Sequence, residues 1–83
     1  MDFKPGHIYY IEWNDHWSTS GGAWGSYRDT LEPIVIKSIG WCIVANDEVV
    51  RLAGHINPET GDFSGEINIM IPSIKAAWEL TNI

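Results

Sequence analysis

The stretch from Pro33 to Ile56, PIVIKSIGWCIVANDEVVRLAGHI, constrains this chain most. Two β-branched apolar runs flank Asn46-Asp47-Glu48. Valine, isoleucine and tryptophan suit a pleated, half-buried surface, and Asn and Asp tolerate the backbone of a tight turn. The stretch therefore predicts a long β-hairpin, with a kink near Ser38-Ile39-Gly40. Gly40 marks a bulge or a tight corner, because a glycine inside a strand signals one or the other.

Strands are predicted on both sides of this hairpin. Pro5-Gly6 reads as a turn, and His7–Trp13 (HIYYIEW) as a strand with Tyr9, Ile11 and Trp13 on one face. Ile8, Tyr10 and Glu12 lie on the other, so both faces are largely apolar. Asn57–Asp62 carries Pro58 and Gly61 in the order that a second hairpin connection needs. Phe63–Ile71 then alternates cleanly, with Ile67, Ile69 and Ile71 on one side. Pro72-Ser73-Ile74 reads as a single 3₁₀ turn, and Ala76–Leu80 as a last strand with Trp78 and Leu80 inward. No segment holds a period of 3.6, so no helix beyond a turn or two is expected.

Size and charge limit the function classes. Eighty-three residues are expected to form one domain, residues 1–83. Such a chain buries only roughly 60–65% of its unfolded surface, so its five Trp, three Tyr and two Phe matter to the core. The single cysteine, Cys42, cannot form an internal disulfide and reads as a small buried hydrophobe, which points to a reducing cytoplasm. The polar N-terminus gives no signal-peptide pattern, and no apolar run approaches the roughly 20 residues of a membrane span. Eleven acidic residues against five Lys and Arg leave a net charge of −6. The cations stand singly, which opposes nucleic-acid binding, since that needs clustered positive charge.

The five predicted strands have a long loop after the first, tight hairpins among the middle three and one turn before a short fifth. This layout resembles an SH3-like small barrel across residues 5 to 81. An OB-fold barrel would carry a helix where Asn57–Gly65 is short and rich in turn residues. The chain also resembles small phage-encoded proteins of this pattern. The matching pieces are Glu12-Trp13-Asn14-Asp15, Trp17-Ser18-Thr19-Ser20-Gly21-Gly22, Ser38-Ile39-Gly40-Trp41, Asp47-Glu48-Val49-Val50 and Ile71-Pro72. That resemblance implies a viral accessory protein in a host cytoplasm and assigns no functional residue.

Motifs for catalysis are weak. His7, His16 and His55, with Asp15, could be imagined around zinc or iron, but no paired spacing pre-arranges two ligands. Ser18, Ser20 or Ser26 with His16 and Asp15 could make a hydrolytic triad only with a positioned base and an oxyanion pocket. Gly25-Ser26-Tyr27 is not a nucleophile elbow. Gly21-Gly22-Ala23-Trp24-Gly25 lacks the lysine and the strand-to-helix setting of a phosphate cradle. No enzymatic activity and no cofactor are expected.

The stronger lead is the loop Asn14–Glu32, longer than the roughly 12–15 residues usual for a structureless connection in a small domain. It holds Trp17, Trp24 and Tyr27, with Trp13 at its entrance, and Trp and Tyr are favoured interface anchors. Asp15 and Asp29 set negative charge around them, with Glu32 further on. Capping of a barrel end and contact with a partner both fit these aromatics. Trp41 and Trp78, on strands, read as core. The chain lacks the Ala-Leu-Tyr-Asp-Tyr run of the SH3 domains that bind proline-rich peptides, which argues against polyproline binding. The expected function is a non-enzymatic protein-interaction module that engages a basic partner surface through Trp13, Asp15, Trp17, Trp24, Tyr27 and Asp29. Four alternatives stand beside it: an acidic DNA mimic, a single-strand binder that stacks bases on aromatics, a small-molecule or metal-binding domain, and a purely structural role, for example within a virion. Self-association is a further expectation, because open sheet edges pair readily.

Overall fold

The central hairpin forms around Asn46. Its side-chain Oδ1 accepts from the backbone N–H of Glu48 and of Val49, each at 2.8 Å, so the turn closes on itself. The Asn46 N–H donates to the Val49 carbonyl at 2.9 Å. The computed structural model describes residues 1–15 and 34–81. Its elements are β1 (Ile8–Asp15), β2 (Ile34–Ala45), β3 (Val49–Ile56), β4 (Phe63–Met70), a 3₁₀ turn (Ile71–Ser73) and β5 (Ile74–Leu80). The described residues are thus all-β, as read from the sequence.

All five strands join one antiparallel sheet in the order β4-β3-β2-β1-β5. The expected barrel does not close, because β4 and β5 remain as two edges of the sheet. The 12-residue β2 serves both halves. Ile34–Trp41 pairs with β1, and Trp41–Ala45 pairs with β3.

Gly40 stands at that handover, but the bulge expected there falls two residues on, between Cys42 and Val44. Gly40 serves close approach instead. A Cβ on it would lie 2.7 Å from the Ala53 carbonyl oxygen, so only glycine lets β2 and β3 come this near.

The second connection forms as predicted. Gly61 adopts a φ of 81°, and the Asn57 N–H donates to the Asp62 carbonyl at 2.8 Å. The 3₁₀ turn follows with Pro72 in its first positions, and the Ile71 N–H ties it to the Glu48 carbonyl at 2.8 Å.

One side of the sheet makes the core. Tyr9, Ile11, Cys42, Val50, Leu52 and Ile69 are each no more than 1% exposed. Phe3, Trp13, Ile67, Ile74 and Ala77 pack around them. Each fully buried large side chain contributes about 1.5–3 kcal/mol. Burial pushes the Cys42 thiol upward from its ordinary pKa.

Two tryptophans read as core lie on the opposite, outward side. In the ladders Trp78 stands beside Tyr10, and Trp41 beside Ile8. Tyr10 and Ile8 alternate with the buried Tyr9 and Ile11, so both tryptophans share the face away from the core. Trp78 is half exposed, and Leu80 shares its outward face. The inward positions of β5 go instead to Ala77 and Glu79. The reason lies in Tyr9, whose ring fills that part of the core. Its hydroxyl accepts from the Lys4 N–H at 2.7 Å and has Glu79 Oε1 as acceptor at 3.2 Å. A buried phenol needs such a partner, so a carboxylate stands where an apolar residue was expected.

Candidate functional site

Trp13 ends the core-facing row of β1, and the fold gives it two tasks. Its ring packs half-buried against the core cluster, and its indole Nε1–H donates to Ser38 Oγ at 3.0 Å. The β1–β5 ladder slips by one residue between Glu12 and Trp13, leaving Lys75 as the extra residue. Such a bulge re-aims side chains near the end of a strand. Beyond it, Trp13, Asn14 and Asp15 form one wall of a cleft of about 430 Å³. Asn68 and Met70 of β4, with Pro72 and Ser73 of the turn, form the other.

Local chemistry fixes that second wall. Ser73 Oγ donates to the Met70 carbonyl at 2.7 Å, and proline sets the backbone of the turn. Met70 is 55% exposed, a soft and adaptable side chain at the rim. The cleft therefore offers an apolar surface from Trp13, Met70 and Pro72, two side-chain amides from Asn14 and Asn68, and the Asp15 carboxyl. Apolar walls with a few polar groups are the usual makeup of a binding site.

Of the six residues predicted to touch a partner, Trp13 and Asp15 meet in this cleft. Trp17, Trp24, Tyr27 and Asp29 lie outside the described residues, as do the serines and His16 of the imagined triad and the glycines of the phosphate cradle. Among the described residues, no three His, Cys, Asp or Glu side chains come together as a metal site. His7 instead lies 3.5 Å from Glu79, and His55 sits on β3 opposite Ser64. Among the described residues, no helix is long and apolar enough to cross a membrane.

A second surface escaped the sequence reading. Across β5, β1 and β2 the outward face presents three rows: Leu80, Ile8 and Trp41; Trp78, Tyr10 and Ile39; then Ala76, Glu12 and Lys37. Trp78 and Tyr10 lie with ring centroids 5.4 Å apart and planes tilted by 48°. Ile39 is 63% exposed. The Tyr10 hydroxyl donates to Glu12 Oε2 at 2.8 Å, and that bond to a carboxylate raises the phenol's pKa. The signal for this surface was the double apolar character of His7–Trp13, since a strand with one solvated face alternates apolar and polar residues.

No protein-family model matches the chain, and no curated protein or solved structure matches it either.

Proposed function

We propose that this chain is a non-enzymatic protein-interaction module of SH3-like architecture, which receives a partner's extended peptide segment in the Trp13–Asp15 cleft. The observation that carries this reading is the cleft itself, about 430 Å³ between the end of β1 and the turn before β5, with Met70 exposed at its rim. The strand order, the 3₁₀ turn before the last strand and the connection over residues 16–33 support the SH3-like architecture. The Asp15 carboxyl and the net charge of −6 favour a segment that combines an apolar residue with Lys or Arg. Apolar contact with Trp13, Met70 and Pro72 supplies affinity, and the amides of Asn14 and Asn68 can hold an extended backbone. Through the phage resemblance, the partner is a host protein in the host cytoplasm, whose activity the module modulates.

The nucleic-acid alternatives gain less support. Lys4, Lys37, Arg51 and Lys75 do not cluster along one strand, and Arg51 is held by Asn68 and Glu66. Panning a random peptide library on the immobilised protein tests the proposal. The expected outcome is enriched peptides with an apolar residue near Lys or Arg, whose Kd rises about tenfold or more in Met70→Glu, the loss of roughly one good apolar contact. An unselective pool, or peptides bound equally by the folded variant, would sink the reading.

A further inference from the structure

The two edges of the sheet are built differently. At one edge, β4 is interrupted by Gly65 with a φ of 68°, and Glu66 follows it. Left-handed backbone and charge are devices that stop an edge from pairing with another chain. At the other edge, β5 contains no proline and no positive-φ residue, and beyond the bulge at Lys75 its run Ala76–Leu80 pairs with β1 without interruption. Its outward face continues into the apolar rows of Trp78, Tyr10 and Ile39.

The direction of the β5 backbone can be read from its neighbours. The His7 carbonyl accepts from the Cys42 N–H at 2.8 Å, so the backbone groups of His7 face β2. Alternate residues of a strand turn these groups to opposite sides, so Ile8, Tyr10 and Glu12 turn theirs to β5. Their ladder partners Leu80, Trp78 and Ala76 turn theirs back to β1. Among the described residues, the N–H and C=O of Ala77 and Glu79 are thereby left on the open side of β5.

We infer that β5 pairs antiparallel with β5 of a second copy of this chain, about a two-fold axis at Ala77. The run Lys75-Ala76-Ala77-Trp78-Glu79 is self-complementary in that register. Ala77 exchanges both backbone hydrogen bonds with its counterpart. Lys75 of each copy, at the bulge, lies beside Glu79 of the other, and the small Ala76 faces the large Trp78. The axis sets Lys75 and Glu79 of the two copies side by side, so both charged pairs are of opposite sign. Registers centred on Ala76 or Trp78 also satisfy the backbone, but they match no Lys with a Glu. Cross-strand pairs of opposite charge and of aromatic with small apolar residues are those that fix register. The two outward aromatic faces then join into one surface across the seam, an isologous arrangement.

This surface lies apart from the Trp13–Asp15 cleft, so Met70→Glu leaves the association unchanged whether or not the cleft binds peptides. Sedimentation equilibrium tests the inference, with the wild type expected at twice the 9.3 kDa chain mass. Ala77→Pro places a ring where the open-side N–H was and removes no bond to β1, so it is expected to give a monomer. Lys75→Glu puts like charges opposite one another and is expected to weaken association about tenfold at low salt. Amide exchange supplies the third reading: Ala77 and Glu79 are expected to gain protection as concentration rises. A wild type that stays monomeric at its highest soluble concentration overturns the inference. So does a dimer that survives Lys75→Glu with the amides of Ala77 and Glu79 unprotected. Should Ala77→Pro fail to fold by circular dichroism, Lys75→Glu and the two amides decide alone.

Discussion

Side by side on the outward surface, β3 and β4 carry Arg51, Asn68 and Glu66, whereas β5, β1 and β2 carry Trp78, Tyr10 and Ile39. In the first region polar groups satisfy one another. Arg51 Nε donates to Asn68 Oδ1 at 2.8 Å and lies 3.5 Å from Glu66. In the second, apolar surface faces water with Trp78 half exposed and Ile39 more so. Beneath both runs one core, since Tyr9 and Ile11 from one half pack in the same cluster as Val50, Leu52 and Ile69 from the other. The difference is therefore not about holding the sheet together. A face that adds little to the fold yet keeps large apolar side chains is suited to contact with another molecule.

Breaking the shared core tests the common half of this comparison and has the largest expected effect. Ile11→Ala and Leu52→Ala should each cost about 2–5 kcal/mol in urea unfolding, because each leaves a cavity under one half-sheet. Coincident transitions by fluorescence and circular dichroism are expected for both. Two separate transitions would mean that the halves have separate cores.

The handover between the halves comes next. Gly40→Ala should cost about 1–3 kcal/mol, since its methyl would meet the Ala53 carbonyl. Gly54→Ala makes only an ordinary contact, 3.8 Å from the Gly65 carbonyl, and should stay within about 0.5 kcal/mol. Equal losses at the two glycines would refute the close approach at Gly40.

Alkali should also find the core under β1. Burial is the main cause that raises the pKa of Tyr9, with Glu79 adding to it, and burial alone raises that of Cys42. Both groups are neutral in the fold, so their contribution is complete below the ordinary ranges, near 9.0 for the thiol and 10.0 for the phenol. It is lost as pH climbs through the raised values. Melting temperature should fall above that range, and less steeply in Tyr9→Phe, which cannot ionise. An unchanged slope in that variant would remove Tyr9 from the account.

The outward faces should give the smallest effects on stability. Trp78→Ser loses a tilted ring contact with Tyr10 and should cost about 1 kcal/mol. Arg51→Ala breaks an exposed pair and should cost below about 1 kcal/mol. The two should separate in binding of an apolar dye, which Trp78→Ser lowers and Arg51→Ala leaves alone. If both or neither changed dye binding, the contrast between the faces would lose its meaning.

Local signals in the sequence were strong where backbone chemistry dictates a single answer. Asn46, Pro58, Gly61 and Pro72 each placed a turn that the structure contains. The alternation of Ile67, Asn68, Ile69 and Met70 placed β4. Phase was harder to read in β5, because Ala76–Leu80 puts apolar residues on both faces and only the pairing of Trp78 with Tyr10 decides between them. Glu79 is exposed yet accepts from the Tyr9 phenol, a pairing that no local pattern announces. Closure into a barrel was an inference from layout, and layout carries no information on whether two edges meet. At the cleft, Trp13 and Asp15 stood out as an aromatic and an acid at the end of a strand. Met70 and Asn68 did not, because residues so distant in sequence become neighbours only through sheet order.

The shared strand β2 also bears on how the chain reaches this structure. Its C-terminal half meets β3 across a three-residue turn, and β3 meets β4 across residues 57–62, so that part of the ladder forms from neighbours in sequence. The N-terminal half must wait for β1, and β5 for β1 in turn, over separations of about 20 to 70 residues as the ladder pairs show. Local contacts lower the entropy of early ordering, and distant ones delay it. The meander β2-β3-β4 is thus the natural nucleus, and β1 and β5 arrive late. Until then the apolar residues of β1 lack both neighbouring strands, which makes that interval the one in which this chain is most exposed to aggregation.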